Sequence, residues 1–316
     1  MTISTVQSPV LIHTIRDLRA WRATATREGQ AVGFVPTMGA LHDGHLHLLR
    51  TARKQCDRVV LSIFVNPAQF APHEDLATYP RTLDADLALL ARSAPTHGPG
   101  ADPMAAFRPL ADVVFAPNPA EMYPAGISTD VREQRGTFVE VLGVSHQMEG
   151  VTRPHFFRGV ATIVLKLFNA VQPDRAYFGQ KDVQQCVVLR NMVRDLLLPL
   201  TVVTVPTVRS ATGLALSSRN RYLTPDQMEP ALTLRRALVA ASERYEAGER
   251  RRTHLLKAAH AVFATEPRAQ LEYISLAHPV TLAELDVVGQ DGAILSGAFR
   301  VGTTRLIDNI LLGCAL

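Results

Sequence analysis

The sequence predicts an α/β fold, a Rossmann-like doubly wound parallel sheet followed by a smaller C-terminal α+β domain. Short continuous apolar runs alternate with helical patterns up to about residue 206, and this alternation is typical of a parallel sheet covered on both faces. After Thr207 the pattern changes, because two helical stretches are followed only by strands. A chain of 316 residues commonly forms about two domains. We therefore predict a first domain over residues 1–206 and a second over residues 207–316.

The elements of the first domain are predicted from apolar runs bounded by turn or charged residues, and from apolar residues at helical spacing. The runs interpreted as strands are Ala31–Pro36, Arg58–Val65, Asp112–Ala116, Arg175–Phe178 and Leu200–Val205. The predicted helices are Ile15–Arg27, His45–Cys56, Asp84–Ala91, Gly159–Val171 and Asp182–Leu196. A doubly wound sheet binds its ligand at the carboxyl ends of the strands, so the residues that follow each strand are the candidate site.

The second domain is predicted to begin with a loop over Arg209–Pro225, which leads into two helices and two or three strands. The helices span Gln227–Ala247 and Thr253–Thr265, and the strands lie near Gln270–Leu276, Ala293–Val301 and Arg305–Leu312. One segment of the first domain, Ser93–Pro109, is rich in proline, glycine and alanine. Such a segment buries little apolar surface, so we predict a surface loop there.

The composition narrows the class of protein. The net charge is +4, but Lys and Arg are dispersed, and the densest run, Arg250–Arg252, is interleaved with glutamates. This is typical of a solvated helix face, so we predict no nucleic-acid partner. No run approaches the roughly 18 apolar residues that cross a membrane, so we predict no membrane partner. Cys56, Cys186 and Cys314 are far apart and follow no metal-ligand spacing, which favours the reducing cytoplasm.

Two histidines follow the first predicted strand, where a turn passes into a helix. His42 and His45 are three residues apart, so both imidazoles can face one ligand. The helix N-terminus offers backbone N–H groups and the positive end of a dipole, which suits phosphate, and Gly39 and Gly44 let the backbone approach it closely. This H-x-G-H turn is a candidate nucleotide-phosphate site. The alternative is that one or both histidines only cap the helix or fill the turn.

Four further groups of polar residues follow strands or lie between the domains. Asn66–Phe70 follows the second strand, where amides can bind hydroxyls or a carboxylate, although an ordinary Asn-Pro turn explains this pattern equally well. Phe178–Asp182 follows the fourth strand, where the lysine supplies charge to phosphate and the aspartate can accept from ribose hydroxyls or cap the helix. Gln185 lies in the first turn of the next helix and can face a substrate. Leu216–Asn220 places two hydroxyls and a guanidinium on a loop that can close over a triphosphate.

Together these motifs make the chain resemble the nucleotidylyltransferase and class I aminoacyl-tRNA synthetase superfamily and, within it, the pantothenate synthetase family. The blocks that carry the resemblance are VPTMGALHDGH, FVNPAQF, RPHFFRGVATIVLKLFN, FGQKDVQQ and PTVR…GLALSSRNRYL, and the match extends over residues 12–312. Two positions depart from the family pattern: Leu216 stands where Met is usual, and Gln180 where Glu is usual. Neither change removes a needed charge.

The resemblance implies a ligase in which ATP and (R)-pantoate form pantoyl adenylate and pyrophosphate, and β-alanine then gives pantothenate and AMP. It also implies magnesium with the ATP, and a homodimer. The catalytic residues that it implies are His45, His42, Lys181 and Arg219. The implied ATP-binding residues are Met38, Gly39, His42, Gly44, His45, Gly179, Gln180, Lys181, Asp182, Val208, Leu216, Ser217, Ser218 and Arg219. The residues implied for pantoate and β-alanine are Gln69, Gln185 and Asn66.

Other functions stay open on the sequence alone. Another adenylyl- or cytidylyltransferase of the superfamily would share the H-x-G-H turn and the late loop, but would not need Gln69 and Gln185 together. A non-catalytic nucleotide- or RNA-binding protein is the alternative from a different class. A Rossmann dehydrogenase is disfavoured, because no G-x-G-x-x-G follows the first strand. No metal ligand is assigned: Asp84 and Asp86 are weak candidates for magnesium, and a solvated helix start explains them equally well.

Overall fold

The computed structural model describes residues 8–72, 74, 76–93 and 108–316 of the chain. The chain forms two compact units, each with its own hydrophobic core. The first unit spans Met1–Val141, Arg153–Phe178 and Val188–Val205, and the second spans Leu142–Thr152, Gly179–Val187 and Pro206–Leu316. The division between residues 206 and 207 stays a prediction.

Strands and helices alternate through the first unit, as the apolar pattern predicts. Within the described residues, the strands are β1 (Val10–Ile12), β2 (Val32–Thr37), β3 (Arg58–Ile63), β4 (Val113–Phe115), β5 (Arg175–Gly179), β6 (Thr201–Val205), β7 (Ala269–Ala277), β8 (Ala293–Val301) and β9 (Thr304–Leu312). The α-helices are α1 (Ile15–Arg27), α2 (Asp43–Gln55), α3 (Leu83–Arg92), α4 (Pro119–Met122), α5 (Glu149–Thr152), α6 (Phe156–Val171), α7 (Val183–Asp195), α8 (Thr233–Glu246) and α9 (Arg252–Phe263).

The sheet of the first unit has the strand order β1-β4-β3-β2-β5-β6. The pairs β1–β4, β4–β3, β3–β2 and β2–β5 run parallel, and the β2–β3 register extends from Val32 opposite Arg58 to Thr37 opposite Ile63. The predicted doubly wound parallel sheet is therefore confirmed. Because β2 neighbours both β3 and β5, the strand order reverses beside β2. This is where a doubly wound sheet binds its ligand.

The strand β1 is absent from the prediction. It pairs with β4, with Val10 opposite Val113 and Ile12 opposite Phe115. Only three residues form β1, and two of them are exposed, so the sequence there carries too short an apolar pattern to indicate a strand.

The second unit contains the antiparallel sheet β7-β8-β9 and the helices α8 and α9. Leu234 and Leu238 of α8 share a core with Leu255 of α9 and with Leu276 and Leu295 of the sheet. The predicted smaller α+β part is confirmed. Among the described helices, none is both long and apolar enough to cross a membrane.

The helix α8 begins later than predicted. The chain first forms two 3-10 turns, at Pro225–Gln227 and Pro230–Leu232, and the α-helix starts only at Thr233. The predicted start at Gln227 is therefore wrong, because Pro230 has no amide hydrogen to donate and would clash inside a helix. The loop predicted over Ser93–Pro109 lies outside the described residues between positions 94 and 107.

Candidate active site

The strand β2 ends in a tight turn that leads to the two histidines. Gly39 and Ala40 have φ values of 84° and 51°, a conformation that glycine adopts freely and alanine only at a cost. The backbone amides of Ala40 and Leu41 donate to the carboxylate of Asp86 at 3.0 and 2.8 Å. Thr82 donates its hydroxyl to the same carboxylate at 3.2 Å. Since Asp86 is only 3% exposed, its buried charge fixes the backbone of the turn.

His42 and His45 cap the start of α2 reciprocally. His42 Nδ1 accepts from the Gly44 amide at 3.1 Å, and His45 Nδ1 accepts from the His42 amide at 3.3 Å. A ring nitrogen that accepts a hydrogen bond carries no proton, so each imidazole holds its proton on Nε2 and can donate from there. The ring centroids are 4.1 Å apart. The capping role that the sequence left open is therefore observed, and it orients both rings.

Gly44 lies between the two histidines, and its missing side chain makes room for one of them. A Cβ at this position would lie 2.8 Å from His42 Cε1 and 2.9 Å from His42 Nδ1. Any larger residue would displace the His42 ring and break the cap. The glycine of the H-x-G-H motif is thus required by close packing.

Asn66 positions Gln69 in the short turn after β3. The Asn66 Nδ2 group donates to Gln69 Oε1 at 3.0 Å and to the carbonyl of Gly159 at 3.2 Å. Its Oδ1 accepts from the Tyr123 hydroxyl at 2.6 Å. Asn66 is only 1% exposed, so its amide is engaged by the protein. Asn66, which is predicted to bind substrate, therefore positions the side chain of Gln69 through this hydrogen bond.

Gln69 itself connects two of the predicted site segments. Its Nε2 donates to Met38 Sδ at 3.2 Å, which brings the turn after β3 beside the turn after β2. The helix α6 packs directly against this turn at Gly159. The approach is so close that a Cβ at Gly159 would lie 2.2 Å from the Ala68 carbonyl oxygen and 2.7 Å from Gln69 Cα. Gly159 thus allows the close approach that holds Gln69 in place.

In the second unit, Lys181 lies in a 3-10 turn, Gln180–Asp182, that follows β5. Asn309 of β9 holds this turn: its Nδ2 donates to the carbonyls of Gln180 and Lys181 at 2.8 and 3.0 Å, and its Oδ1 accepts from Gln180 Nε2 at 3.1 Å. Lys181 Nζ lies 3.5 Å from Asp182 Oδ1. The two predicted ATP residues Gln180 and Lys181 are therefore fixed by one buried amide.

The adjacent glutamines of α7 have different environments. Gln184 is buried; its Oε1 accepts from the Glu149 amide at 3.0 Å, and its Nε2 donates to the carbonyls of Val144 and Gln147 at 3.0 and 2.8 Å. Gln185 is half-buried, and within the described part of the chain its side chain makes no hydrogen bond. The structure thus separates a structural amide, Gln184, from an amide that makes no side-chain hydrogen bond among the described residues; the substrate role of Gln185 stays a prediction.

The segment that carries Leu216 and the two serines is closed by a backbone hairpin. The Leu216 amide donates to the Val208 carbonyl at 2.9 Å, which brings these two predicted ATP residues together. Ser217 Oγ accepts from the Arg219 amide at 3.2 Å and so caps the 3-10 turn Ser218–Tyr222. Ser217, Ser218 and Arg219 are all half-buried.

The two weak magnesium candidates differ in the structure. Asp86 is occupied by the backbone amides of the histidine turn, whereas Asp84 lies exposed in the first turn of α3. Among the described residues, no group of three His, Cys, Asp or Glu side chains is arranged to hold a metal ion.

Sequence reasoning missed three residues that build the site. Asp86 is predicted as a weak metal ligand or a solvated helix start, but it is buried and anchors the histidine turn, so the solvated alternative is wrong for this residue. Asn309 carries a weak signal, since two polar residues, Asp308 and Asn309, interrupt an apolar strand. Gly159 carries a signal too, as a lone glycine within a helical pattern is a candidate for close packing.

The fold defines an α/β protein in which polar turns follow the carboxyl ends of β2 and β3 of a parallel sheet, the position at which doubly wound proteins bind their ligands. A family model described as pantoate-beta-alanine ligase matches residues 10–311. The chain belongs to this family.

Relatives and solved structures agree with this assignment over nearly the whole chain. The pantothenate synthetase of Chloroflexus aggregans is 51% identical over 302 residues, which cover 96% of this chain and 99% of that protein. That of Moorella thermoacetica is 47% identical, covering 96% and 98%. The crystal structure of pantothenate synthetase from Thermus thermophilus matches with a TM-score of 0.81 at 42% identity, covering 95% of this chain and 98% of that chain. The pantoate-beta-alanine ligase of Francisella tularensis, complexed with beta-gamma ATP and beta-alanine, matches with a TM-score of 0.70 at 31% identity, covering 96% and 97%.

Proposed function

We propose that this protein condenses (R)-pantoate with β-alanine at the expense of ATP, through a pantoyl adenylate, and releases AMP and pyrophosphate. The observation that carries the proposal is the reciprocal cap of His42 and His45, which presents two oriented Nε2–H donors at the carboxyl end of β2. The family match over residues 10–311 supports the same reaction. The condensation product, pantothenate, feeds the synthesis of pantothenate-derived cofactors such as coenzyme A.

The first step joins pantoate to the nucleotide. A carboxylate oxygen of pantoate attacks the α-phosphorus of ATP, the new P–O bond forms, and the bond to the β-phosphate oxygen breaks. Negative charge builds on the departing pyrophosphate, so donors aimed at it lower the barrier without covalent chemistry. His42, His45 and Lys181 are the donors that we assign to this role, together with Arg219.

The second step releases AMP. The amine of β-alanine attacks the carbonyl carbon of pantoyl adenylate, the C–N bond forms, the bond to the phosphate oxygen breaks, and the amine loses a proton. No nucleophile of the protein takes part. Holding both reactants in register supplies much of the rate.

The residues that we assign to ATP are Met38, Gly39, His42, Gly44, His45, Gly179, Gln180, Lys181, Asp182, Val208, Leu216, Ser217, Ser218 and Arg219. The N-terminus of α2 supports phosphate binding, because its first amides and its dipole favour an anion. The neighbouring positions of Val208 and Leu216 and the half-buried hydroxyls of Ser217 and Ser218 support the assignment in the second unit.

The carboxylic substrates are assigned to the amides of Gln69 and Gln185. Gln69 meets both pantoate and β-alanine in turn, and Gln185 meets pantoate. The support is that Gln69 is held in place from behind by Asn66 and that the Gln185 side chain makes no hydrogen bond within the described residues. Asn66 acts as the positioning residue for Gln69.

Magnesium enters as the complex with ATP. Mg²⁺ keeps several of its waters and is commonly held by substrate phosphates with few protein carboxylates. The donor set fits this mode, since Asp86 is engaged by the backbone, and the exposed Asp84 is the candidate that we retain for an outer contact. We further propose a cytoplasmic homodimer. Cys56, Cys186 and Cys314 form no disulfide among the described residues, which supports a reducing compartment, and light scattering tests the dimer.

The test is to incubate the protein with ATP, pantoate and β-alanine and to identify the nucleotide product. AMP and pyrophosphate are expected in step with pantothenate, and exchange of labelled pyrophosphate into ATP is expected to require pantoate. Stoichiometric ADP would disprove the adenylate mechanism. Exchange that does not depend on pantoate would instead favour another nucleotidylyltransferase of the superfamily.

A further inference from the structure

Arg235 on α8 is a half-buried cation that the proposed reaction does not yet use. Within the part of the chain that the structure describes, its guanidinium makes neither a hydrogen bond nor an ion pair. Its neighbour Arg236 is exposed and pairs with Glu229. Burying an arginine without a partner is costly, since a desolvated charge needs hydrogen bonds or an opposite charge to compensate it.

The acidic group that acts on Arg235, Asp308, is already occupied. Asp308 accepts a bidentate pair from Arg209, at 2.7 and 2.8 Å, and a third hydrogen bond from the Asn309 amide at 2.8 Å. Burial and the Arg209 charge lower the pKa of the Arg235 guanidinium, and Asp308 opposes this effect. An arginine stays protonated at neutral pH, so the group of Arg209, Asp308 and Arg235 carries one positive charge in excess.

This excess charge lines a small pocket of the second unit. Its polar lining comprises the half-buried Lys181, Ser217, Asn220 and Arg235 and the carboxylate of Asp308, whereas Leu234 and Phe299 are buried and belong to its apolar lining. Because Asp308 is already paired with Arg209, two cations and a hydroxyl in this lining remain for an anionic ligand. This is the donor chemistry that recognises phosphate oxygens, because a guanidinium can bind two of them at once.

We propose that Arg235 binds the pyrophosphate group, as the β- and γ-phosphates of ATP and then as the leaving product, together with Lys181 and Ser217. The inference rests on the proposed function and adds a cation that lies outside the H-x-G-H turn and the Leu216–Asn220 loop. Arg235 stabilises the charge that develops on pyrophosphate as the α–β bond breaks. AMP has neither the β- nor the γ-phosphate, so its binding does not depend on Arg235.

The test compares Arg235→Gln with the matched control Arg236→Gln, which removes an exposed charge one residue further along the same helix. Isothermal calorimetry measures the affinity of each purified protein for inorganic pyrophosphate and, separately, for AMP. The loss of a charge-assisted contact is expected to weaken pyrophosphate binding by roughly tenfold to a hundredfold and to leave AMP binding within about twofold. The control is expected to resemble the parent protein for both ligands.

Melting temperature separates a binding role from a purely structural one. Removing a desolvated charge beside Arg209 is expected to leave the melting temperature equal or higher, while pyrophosphate binding falls. A folded Arg235→Gln protein that binds pyrophosphate as tightly as the parent would overturn the inference. If that variant does not fold, Arg235→Lys decides, because it keeps the charge and loses the bidentate geometry. A several-fold loss of pyrophosphate affinity is then expected, and parent-like affinity would count against the role.

Different results would contradict the proposed function and the assignment of Arg235. If the parent protein made no pantothenate from ATP, pantoate and β-alanine, the proposed function would be wrong whatever Arg235 did. If the parent is active and Arg235→Gln keeps parent-like pyrophosphate affinity, only the assignment of Arg235 is wrong.

Discussion

The carboxylate of Asp86 lies 2.8 Å from the backbone nitrogen of Leu41 and ties α3 to the turn that precedes the two histidines. The second carboxylate oxygen accepts from the Ala40 amide, at a residue whose φ is 51°. This left-handed conformation costs an alanine roughly 1–2 kcal/mol, and two charge-assisted hydrogen bonds offset that cost. The position of the histidines therefore depends on a residue more than forty positions later in the sequence.

Replacing Asp86 is expected to affect both stability and substrate use. Asp86→Ala removes both acceptors from a buried site, and we expect the free energy of unfolding in urea to fall by about 2–4 kcal/mol, since hydrogen bonds to charged groups contribute about 1.5–3 kcal/mol each. Asp86→Asn retains one acceptor, so its free energy of unfolding should lie between those of the parent protein and of Asp86→Ala. The exposed Asp195→Ala serves as control. Parent-like stability and pyrophosphate exchange in Asp86→Ala would show that the turn needs no such anchor.

His45→Ala is expected to slow adenylate formation in a protein that still folds, with about 0.5–2 kcal/mol less stability from the lost cap. Removing one donor to a developing charge typically lowers the rate by about 10²–10³-fold. The measurement is pantoate-dependent exchange of labelled pyrophosphate into ATP, with circular dichroism as the check on folding. His42→Ala removes the partner in the cap and should show a comparable loss. Near-normal exchange in a folded His45→Ala protein would exclude this histidine from the chemistry.

Gln184→Ala and Gln185→Ala are expected to affect different properties: the first lowers stability, and the second weakens the use of pantoate. Gln184→Ala leaves the Glu149 amide and the Val144 and Gln147 carbonyls without their partner, so unfolding should become easier by about 1–3 kcal/mol. Gln185→Ala should keep the stability of the parent and raise the KM for pantoate in the exchange reaction. ATP affinity, measured by calorimetry, should barely change. Loss of ATP binding with normal pantoate dependence would refute the pantoate assignment of Gln185.

Gly159→Ala is expected to displace the turn that carries Gln69. The added Cβ would lie 2.2 Å from the Ala68 carbonyl oxygen, so α6 and the turn must separate. Both pyrophosphate exchange and the β-alanine-dependent release of AMP should fall, because Gln69 is assigned to both substrates. Gly289→Ala is the matched control, since a Cβ there meets nothing within 4 Å. Equal rates in the two variants would mean that the close approach of α6 does not position Gln69.

The architecture could be predicted because it depends on local patterns. Val32–Val35 and the neighbouring β3 are buried continuously, and such runs separated by helices indicate a parallel sheet without knowledge of their partners. β1 and the start of α8 could not be predicted in the same way. β1 is too short to show a pattern, and the effect of Pro230 on α8 competes with the helical pattern on either side of it.

The site could be predicted where the interacting residues belong to one short segment. His42 and Gly44 interact within the H-x-G-H turn, and Ser217 caps its own turn, so short motifs report them. The residues that hold these turns in place come from distant parts of the chain. Asp86 and Asn309 reach the segments they hold across 45 and 128 residues. A local pattern can mark Asn309 as a polar residue within an apolar strand, but it does not indicate which distant segment the residue contacts.

The hydrogen bonds of Asn309 to the Lys181 turn affect the order in which parts of the enzyme can fold during translation. The ribosome adds about 5–20 residues per second, so the 128 residues between Lys181 and Asn309 delay the anchor by on the order of ten seconds. The histidine turn, whose own anchor is Asp86, has all its parts translated long before. A nascent chain therefore holds the histidine turn early but cannot fix the lysine turn until β9 has been made. Because Lys181 is proposed to bind phosphate, we expect ligase activity only in chains translated through β9.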